Sequence, residues 1–184
     1  MTETSFARHA LAEIGQVMDR MSDEAVAEAC AEIAQARRVM LYGCGREGLM
    51  MRGFAMRLYH LGLDVSVQGD MAAPPLGPGD LLVASAGPGE LGTVTSLMRT
   101  ARNAGADVML LTAVPDTPAA KHGSRVLNIP AQTMATDARG ASRLPMGSVY
   151  EGALFILFET MVAQLADRLG ANADTMRSRH TNME

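Results

Sequence analysis

Five short apolar runs, at 39–42, 63–68, 81–86, 108–113 and 125–129, restrict this sequence more than any other feature. Each is too short for a stable helix, and those at 39–42, 81–86 and 108–113 are apolar almost throughout. That pattern marks strands buried on both faces rather than half-exposed antiparallel ones. Helical spacing fills two of the gaps, at 46–61 stopped by Gly62 and at 90–104 closed by Gly105. Strands alternating with helices imply an α/β fold. Its five-stranded parallel sheet is covered on both faces and joined by right-handed crossovers.

The flanks read as helical. Phe6, Ala10, Ile14, Val17, Met18 and Met21 recur at helical spacing. Ser22 is placed to cap a second helix, with Asp23 and Glu24 in its first turn and Arg37 and Arg38 near its end. Residues 71–80, rich in Pro and Gly, read as a connecting loop. Residues 131–146 show no periodicity and are expected to form a mobile excursion near the carboxyl edge of the sheet. A long helix follows over 148–169. Its run GALFILF is apolar all round, more than one sheet face can cover, so it is expected at a subunit interface. The fifteen methionines suit irregular contacts there, and ordinary core packing accounts for them equally well. The chain is read as one domain over 1–184: N-terminal helices 5–36, an α/β core 37–130, the loop 131–146 and C-terminal helices 147–179.

Composition narrows the function classes. A chain of 184 residues that is 48% hydrophobic can enclose a core, which excludes disorder as its main state. A net charge of −4 argues against nucleic-acid or anionic-membrane partners. Cys30 and Cys44 cannot make a disulfide framework, and four scattered histidines show no metal-ligand spacing, so no metal is expected. No secretory signal opens the chain, and the apolar stretch 152–158 stops at Glu159, too short to span a bilayer. A cytoplasmic protein with no membrane partner is expected.

Two glycine loops carry the functional signal. Gly43-Cys-Gly-Arg-Glu-Gly48 follows the first strand and opens a helix, matching the G-x-G-x-x-G spacing of a dinucleotide turn, with Asp70 further on. A tight strand-to-helix turn explains the same glycines without any ligand. Glu47 argues against pyrophosphate, because its charge falls where a phosphate would sit. A second loop, Ser85-Ala-Gly-Pro-Gly-Glu90, follows the third strand and belongs at the same carboxyl edge. A dinucleotide fold does not need it, whereas a small anionic ligand held between two loops would use both.

The order GCGREG, FAMRLYHLGLDV, DLLVASAGPGE, GSVYEGALF and RSRHTNME resembles the sugar isomerase (SIS) domain family, and within it the 6-phospho-3-hexuloisomerase branch. The resemblance runs from about residue 10 to the C-terminus. It implies a three-layer α/β/α sandwich and a homo-oligomer, dimer or homotetramer, with sites near subunit boundaries. It also implies aldose–ketose isomerisation with no metal or organic cofactor. The family typically has Ser where this chain has Glu47, Ala86 and Pro88, and Thr where it has Leu91; those hydroxyls would donate to a substrate phosphate.

Moving a carbonyl between adjacent carbons requires a base that takes a proton from one carbon and returns it to the next, with a donor or cation beside the enediol. By resemblance Glu151 is that base. From spacing alone, Ser148-x-x-Glu151 reads instead as a capping box. A carboxylate at a helix N-terminus is expected to stay ionised. His60 matches a family histidine thought to assist ring opening or proton shuttling, and near a helix end it also suits the dipole. His180, in the tail, is expected either to close over a neighbouring site or to sit on a frayed surface. Cys44 is taken as a small residue in a tight turn rather than a reactive thiol, and His9 and His122 as solvent-exposed. The substrate-binding set is Gly45, Arg46, Glu47, Ser85, Ala86, Gly87, Gly89, Glu90 and His180. The expected function is an aldose–ketose isomerase acting on a sugar phosphate or related acidic sugar derivative. A non-catalytic sugar-derivative sensor is the alternative, and a nucleotide-dependent oxidoreductase ranks third.

Overall fold

All five apolar runs are strands: β1 (Arg38–Gly43), β2 (Val65–Val67), β3 (Asp80–Ser85), β4 (Asp107–Thr112) and β5 (Arg125–Asn128). The structure is a computed structural model that describes residues 3–137 and 142–183. Every strand pair is parallel, in the order β2-β1-β3-β4-β5. The central strands are buried on both faces, as continuous apolar runs require: β3 has no exposed residue, and β4 has only Asp107.

The helices are α1 (Glu3–Met18), α2 (Asp23–Gln35), α3 (Gly45–Leu61), α4 (Gly92–Asn103), α5 (Ser148–Leu169) and α6 (Ala173–Arg177). Side chains alternate across the sheet, so each strand feeds two cores. Val39, Leu41, Leu81, Val83, Met109 and Leu111 pack with α2, α3 and α5. Met40, Leu82, Ala84, Val108 and Leu110 pack with Val94, Met98 and Ala101 of α4. The result is the three-layer α/β/α sandwich, with a thick layer on one face and essentially one helix on the other.

Two local expectations are corrected. The second helix ends at Gln35, so Arg37 and Arg38 are not partners of its C-terminus. Arg37 instead donates two hydrogen bonds to buried Asp80 (3.0 and 2.8 Å), and Arg38 pairs with Asp64 (3.0 Å), tying the sheet's amino edge. The helix expected from 90 begins at Gly92. Ser22 does cap α2, accepting from the Ala25 amide at 3.2 Å. In the excursion 131–146, a single 3-10 turn spans Met134–Thr136; residues 138–141, part of the stretch expected to be mobile, lie outside the described residues.

The helix expected at an interface divides its apolar surface. Leu154, Leu157 and Phe158 lie in the chain's own core, while Phe155 and Ile156 are 57% and 40% exposed. By length and composition α5 could cross a membrane. It is instead the central helix of the thick layer, packed against α1, α2 and α3.

The chain steps outward from β1 to β2 through α3, then returns to place β3 on the other side of β1. The carboxyl ends of β1 and β3 therefore flank the point where the winding reverses, where open α/β sheets hold ligands. Both glycine loops leave from there.

Candidate functional site

At that reversal a cavity of about 360 Å³ opens, within the range of small-molecule sites. Its floor comes from the first turn of α3, with Gly45, Arg46 and Glu47. One wall is Pro88 and Leu91 from the β3 loop, and the other is Gly147, Tyr150 and Glu151 at the start of α5; the 131–146 segment adds Thr133, Met134 and Met146. The tight first turn explains a glycine: a Cβ on Gly48 would stand 2.5 Å from the Gly43 carbonyl oxygen. The third glycine of the spacing thus serves strand-to-helix packing.

Arg46 ties two helices together. Its guanidinium donates to Ser148 Oγ at 2.8 Å and to the Met146 carbonyl, and lies 3.3 Å from Glu151 Oε1. This displaces the capping box. The N-cap of α5 is Gly147 in the left-handed region, and no side chain caps that terminus. Ser148 is instead the first helical residue, its hydroxyl donating to the Pro145 carbonyl. Glu151 is left facing the cavity, its side chain 17% exposed. Its Oε2 is buried without a hydrogen-bond partner among the described residues. Burial raises the Glu151 carboxyl above its ordinary range, against the pull of Arg46 and with help from the negative charge of Glu47. Desolvation thus outweighs the helix terminus that was expected to hold it low.

Glu47 is 9% exposed. Its carboxylate accepts from Ser85 Oγ at 2.5 Å and from the Gly87 amide at 3.0 and 3.2 Å. Burial raises its pKa, and these two hydrogen bonds partly offset that. Tyr150, fully buried with its hydroxyl 3.3 Å from Ser85 Oγ, is pushed well above the ordinary tyrosine range by burial and then by Glu47. Tyr150 escaped the sequence reading because nothing local marks it; the capping pattern drew attention to its neighbours.

A raised carboxyl makes the native state hold its proton to higher pH than the unfolded chain. Its favourable contribution is complete below the unfolded value of 4.5 and is lost as pH rises through the folded value. Glu47→Gln keeps an acceptor for Gly87 but cannot titrate. The expected result is a melting temperature that falls less steeply than wild type between pH 4.5 and neutrality, measured by thermal denaturation over that range.

The other expected residues scatter. Ser85, Ala86 and Gly87 are buried beneath the cavity, two of them bound to Glu47. Gly89 turns away, its carbonyl accepting from Thr117 Oγ1 at 3.0 Å, and Glu90 is exposed. Asp70 is exposed and lines a separate hollow with Arg52 and Tyr59. Burial lifts the Cys30 thiol to about 11. His60 ends α3, fourteen residues after Arg46 and therefore about 21 Å along the axis. There it is buried, its ring centroid 5.3 Å from that of His180, with Arg179 donating to the His60 carbonyl at 3.2 Å. His60 and His180 therefore meet each other but not Glu151 of the same chain. Among the described residues, no cluster of side chains suits a metal ion.

Sheet order, reversal point and cavity define an open parallel α/β protein with a cavity beside its two glycine loops. The chain belongs to the SIS domain family, whose profile matches residues 32–154. It is 36% identical over 172 residues to the 3-hexulose-6-phosphate isomerase of Mycobacterium gastri, covering 94% of this chain and 86% of that protein. The Bacillus subtilis protein of the same name is 27% identical over 186 residues, the full length of both. A solved Methanococcus jannaschii protein, for which that activity was inferred, superposes with a TM-score of 0.84 at 22% identity, over 97% of this chain and 98% of its own.

Proposed function

We propose that this chain is a sugar-phosphate isomerase that interconverts aldose and ketose through an enediol, with Glu151 as the base. One observation carries the assignment: Glu151 lines the cavity, and its Oε2 is buried without a hydrogen-bond partner among the described residues. An acceptor in that state costs free energy unless a ligand satisfies it. A C–H acidified by the neighbouring carbonyl supplies the proton it takes up. Glu151 removes that proton and the old carbonyl oxygen takes one, giving the enediol. The other hydroxyl then gives up its proton to become the new carbonyl as Glu151 returns a proton to the former carbonyl carbon. One carbon is oxidised as its neighbour is reduced, so the reaction needs no external oxidant or reductant. Arg46, 3.3 Å from Glu151, places a fixed positive charge where the enediolate develops. The names of the relatives support this reaction class. The test is incubation with 3-hexulose 6-phosphate in deuterated water, followed by NMR. Product with deuterium at the exchanged carbon is expected; saturable binding without exchange would identify a sensor instead.

The protein acts in the cytoplasm as a homo-oligomer, dimer or tetramer. Leu49, Met56 and Phe155 are all more than half exposed and line one apolar hollow between α3 and α5, a surface suited to a second copy. Phe155→Glu is expected to weaken assembly by about 2 kcal/mol or more, since an aromatic anchor is replaced by a buried charge. Light scattering showing wild type to be monomeric at micromolar concentration would overturn this.

A further inference from the structure

The two glycine loops should attract an anion. They stand at the carboxyl ends of adjacent parallel strands, and the first opens a helix whose terminal amides face the cavity side. The disposition of donors shows that the position is already filled. In the β3 loop the Ala86 amide donates to the Leu111 carbonyl (3.0 Å), and the Gly89 amide to the Ala86 carbonyl (2.9 Å). Pro88 has no amide hydrogen to offer. The Gly87 amide and the Ser85 hydroxyl, the two groups left, both donate to Glu47. Every backbone donor from 86 to 89 is therefore committed inside the protein. The fit is close as well, for a Cβ on Gly87 would stand 3.0 Å from Glu47 Oε1 and from the Tyr150 ring.

We infer that Glu47 is a resident anion, its carboxylate occupying the cradle between the two loops so that the site admits the hydroxylated end of a sugar there and turns a phosphate away. A tethered carboxylate competes at an effective concentration that a free phosphate cannot match. Any phosphate that does approach meets repulsion from Glu47 and, in the β3 loop, donors already spent. Around this point the cavity presents Pro88, Leu91 and Tyr150 with the carboxylates of Glu47 and Glu151, against Arg46 as the single cation among the described lining residues. That lining suits neutral hydroxyl groups, which can donate to the carboxylates and lie on apolar surface. The inference rests on the isomerase reading for its substrate class. It specifies that the phosphate of the substrate lies outside the two loops.

The test is calorimetric titration with inorganic phosphate, which needs no turnover, on wild type, Glu47→Ser and Glu47→Gln. Ser removes the occupant and releases the Gly87 and Ser85 donors; Gln keeps the occupant without its charge. Phosphate is expected to bind Glu47→Ser about tenfold tighter than wild type or more, while Glu47→Gln gains far less. Thermal melting confirms that each variant is folded. Equal gains in Ser and Gln would show simple repulsion, and no gain in folded Ser, or tight binding by wild type that Ser loses, would show that Glu47 does not hold the cradle; each result overturns the inference. The outcomes separate from the isomerase reading, because deuterium exchange can succeed while this titration fails, and the reverse.

Discussion

Glu151→Gln should lower turnover by about 10²–10⁴, the usual loss when a general base is removed. Gln matches Glu in size, and its oxygen can still receive a hydrogen bond from Arg46, so fold and cavity should persist. What goes is the basic oxygen. The effect should therefore fall on kcat and on deuterium exchange, with substrate affinity nearly unchanged and the melting temperature close to wild type. Burial already lifts the Glu151 carboxyl, which brings its proton affinity nearer to neutral pH and strengthens it as a base. A Gln variant with full turnover would return Glu151 to a structural role, and the absent capping bond leaves it little structural work to do.

His60→Asn should lower turnover by about 10²-fold although His60 lies far from Glu151 in the same chain. Two ends of one rigid helix, about 21 Å apart, cannot serve one sugar. They can serve it if His60 of one copy, with its neighbours Arg179 and His180, faces the cavity of another. Mixing then gives a sharp result. Each variant alone retains about 1% of the rate or less, but a hybrid dimer of His60→Asn with Glu151→Gln holds one doubly altered site and one intact site. Equal, random reassembly should restore about a quarter of the wild-type rate, because two-fold symmetry pairs the sites reciprocally. Hybrids verified by mass that show no recovery would exclude a shared site.

Much of the fold was legible because its signals are local. A central parallel strand must be apolar on both faces, so Val39 to Tyr42 and Leu81 to Ala86 announced themselves. Ser22 needs only the amide of Ala25 to act as a cap. The site was less legible because its decisive contacts are remote. Ser148 and Glu151 satisfy the capping pattern, yet Arg46, 102 residues away, captures the hydroxyl, and Gly147 takes the cap position. Glu47 could be recognised as a charge in an odd place. Its bonds to Ser85 and Gly87 cross 38 and 40 residues, so they exist only once β1 and β3 are side by side. Arg179 gave no signal, since a tail arginine is ordinarily solvated.

The arrangement of α5 also sets an order of events during synthesis. This helix supplies Leu154, Leu157, Phe158, Met161 and Leu165 to the thick layer and packs against α1, α2 and α3. It follows those helices and all five strands in the chain, so it is made after them. Until then the N-terminal helices and the sheet face they share have no centre to close on. Without α5 that face stays open, the state in which aggregation competes with folding. When α5 arrives, it brings an apolar stretch long enough to resemble a membrane span. Docking of α5 onto the waiting sheet is therefore the step that closes the thick layer and hides its apolar surface.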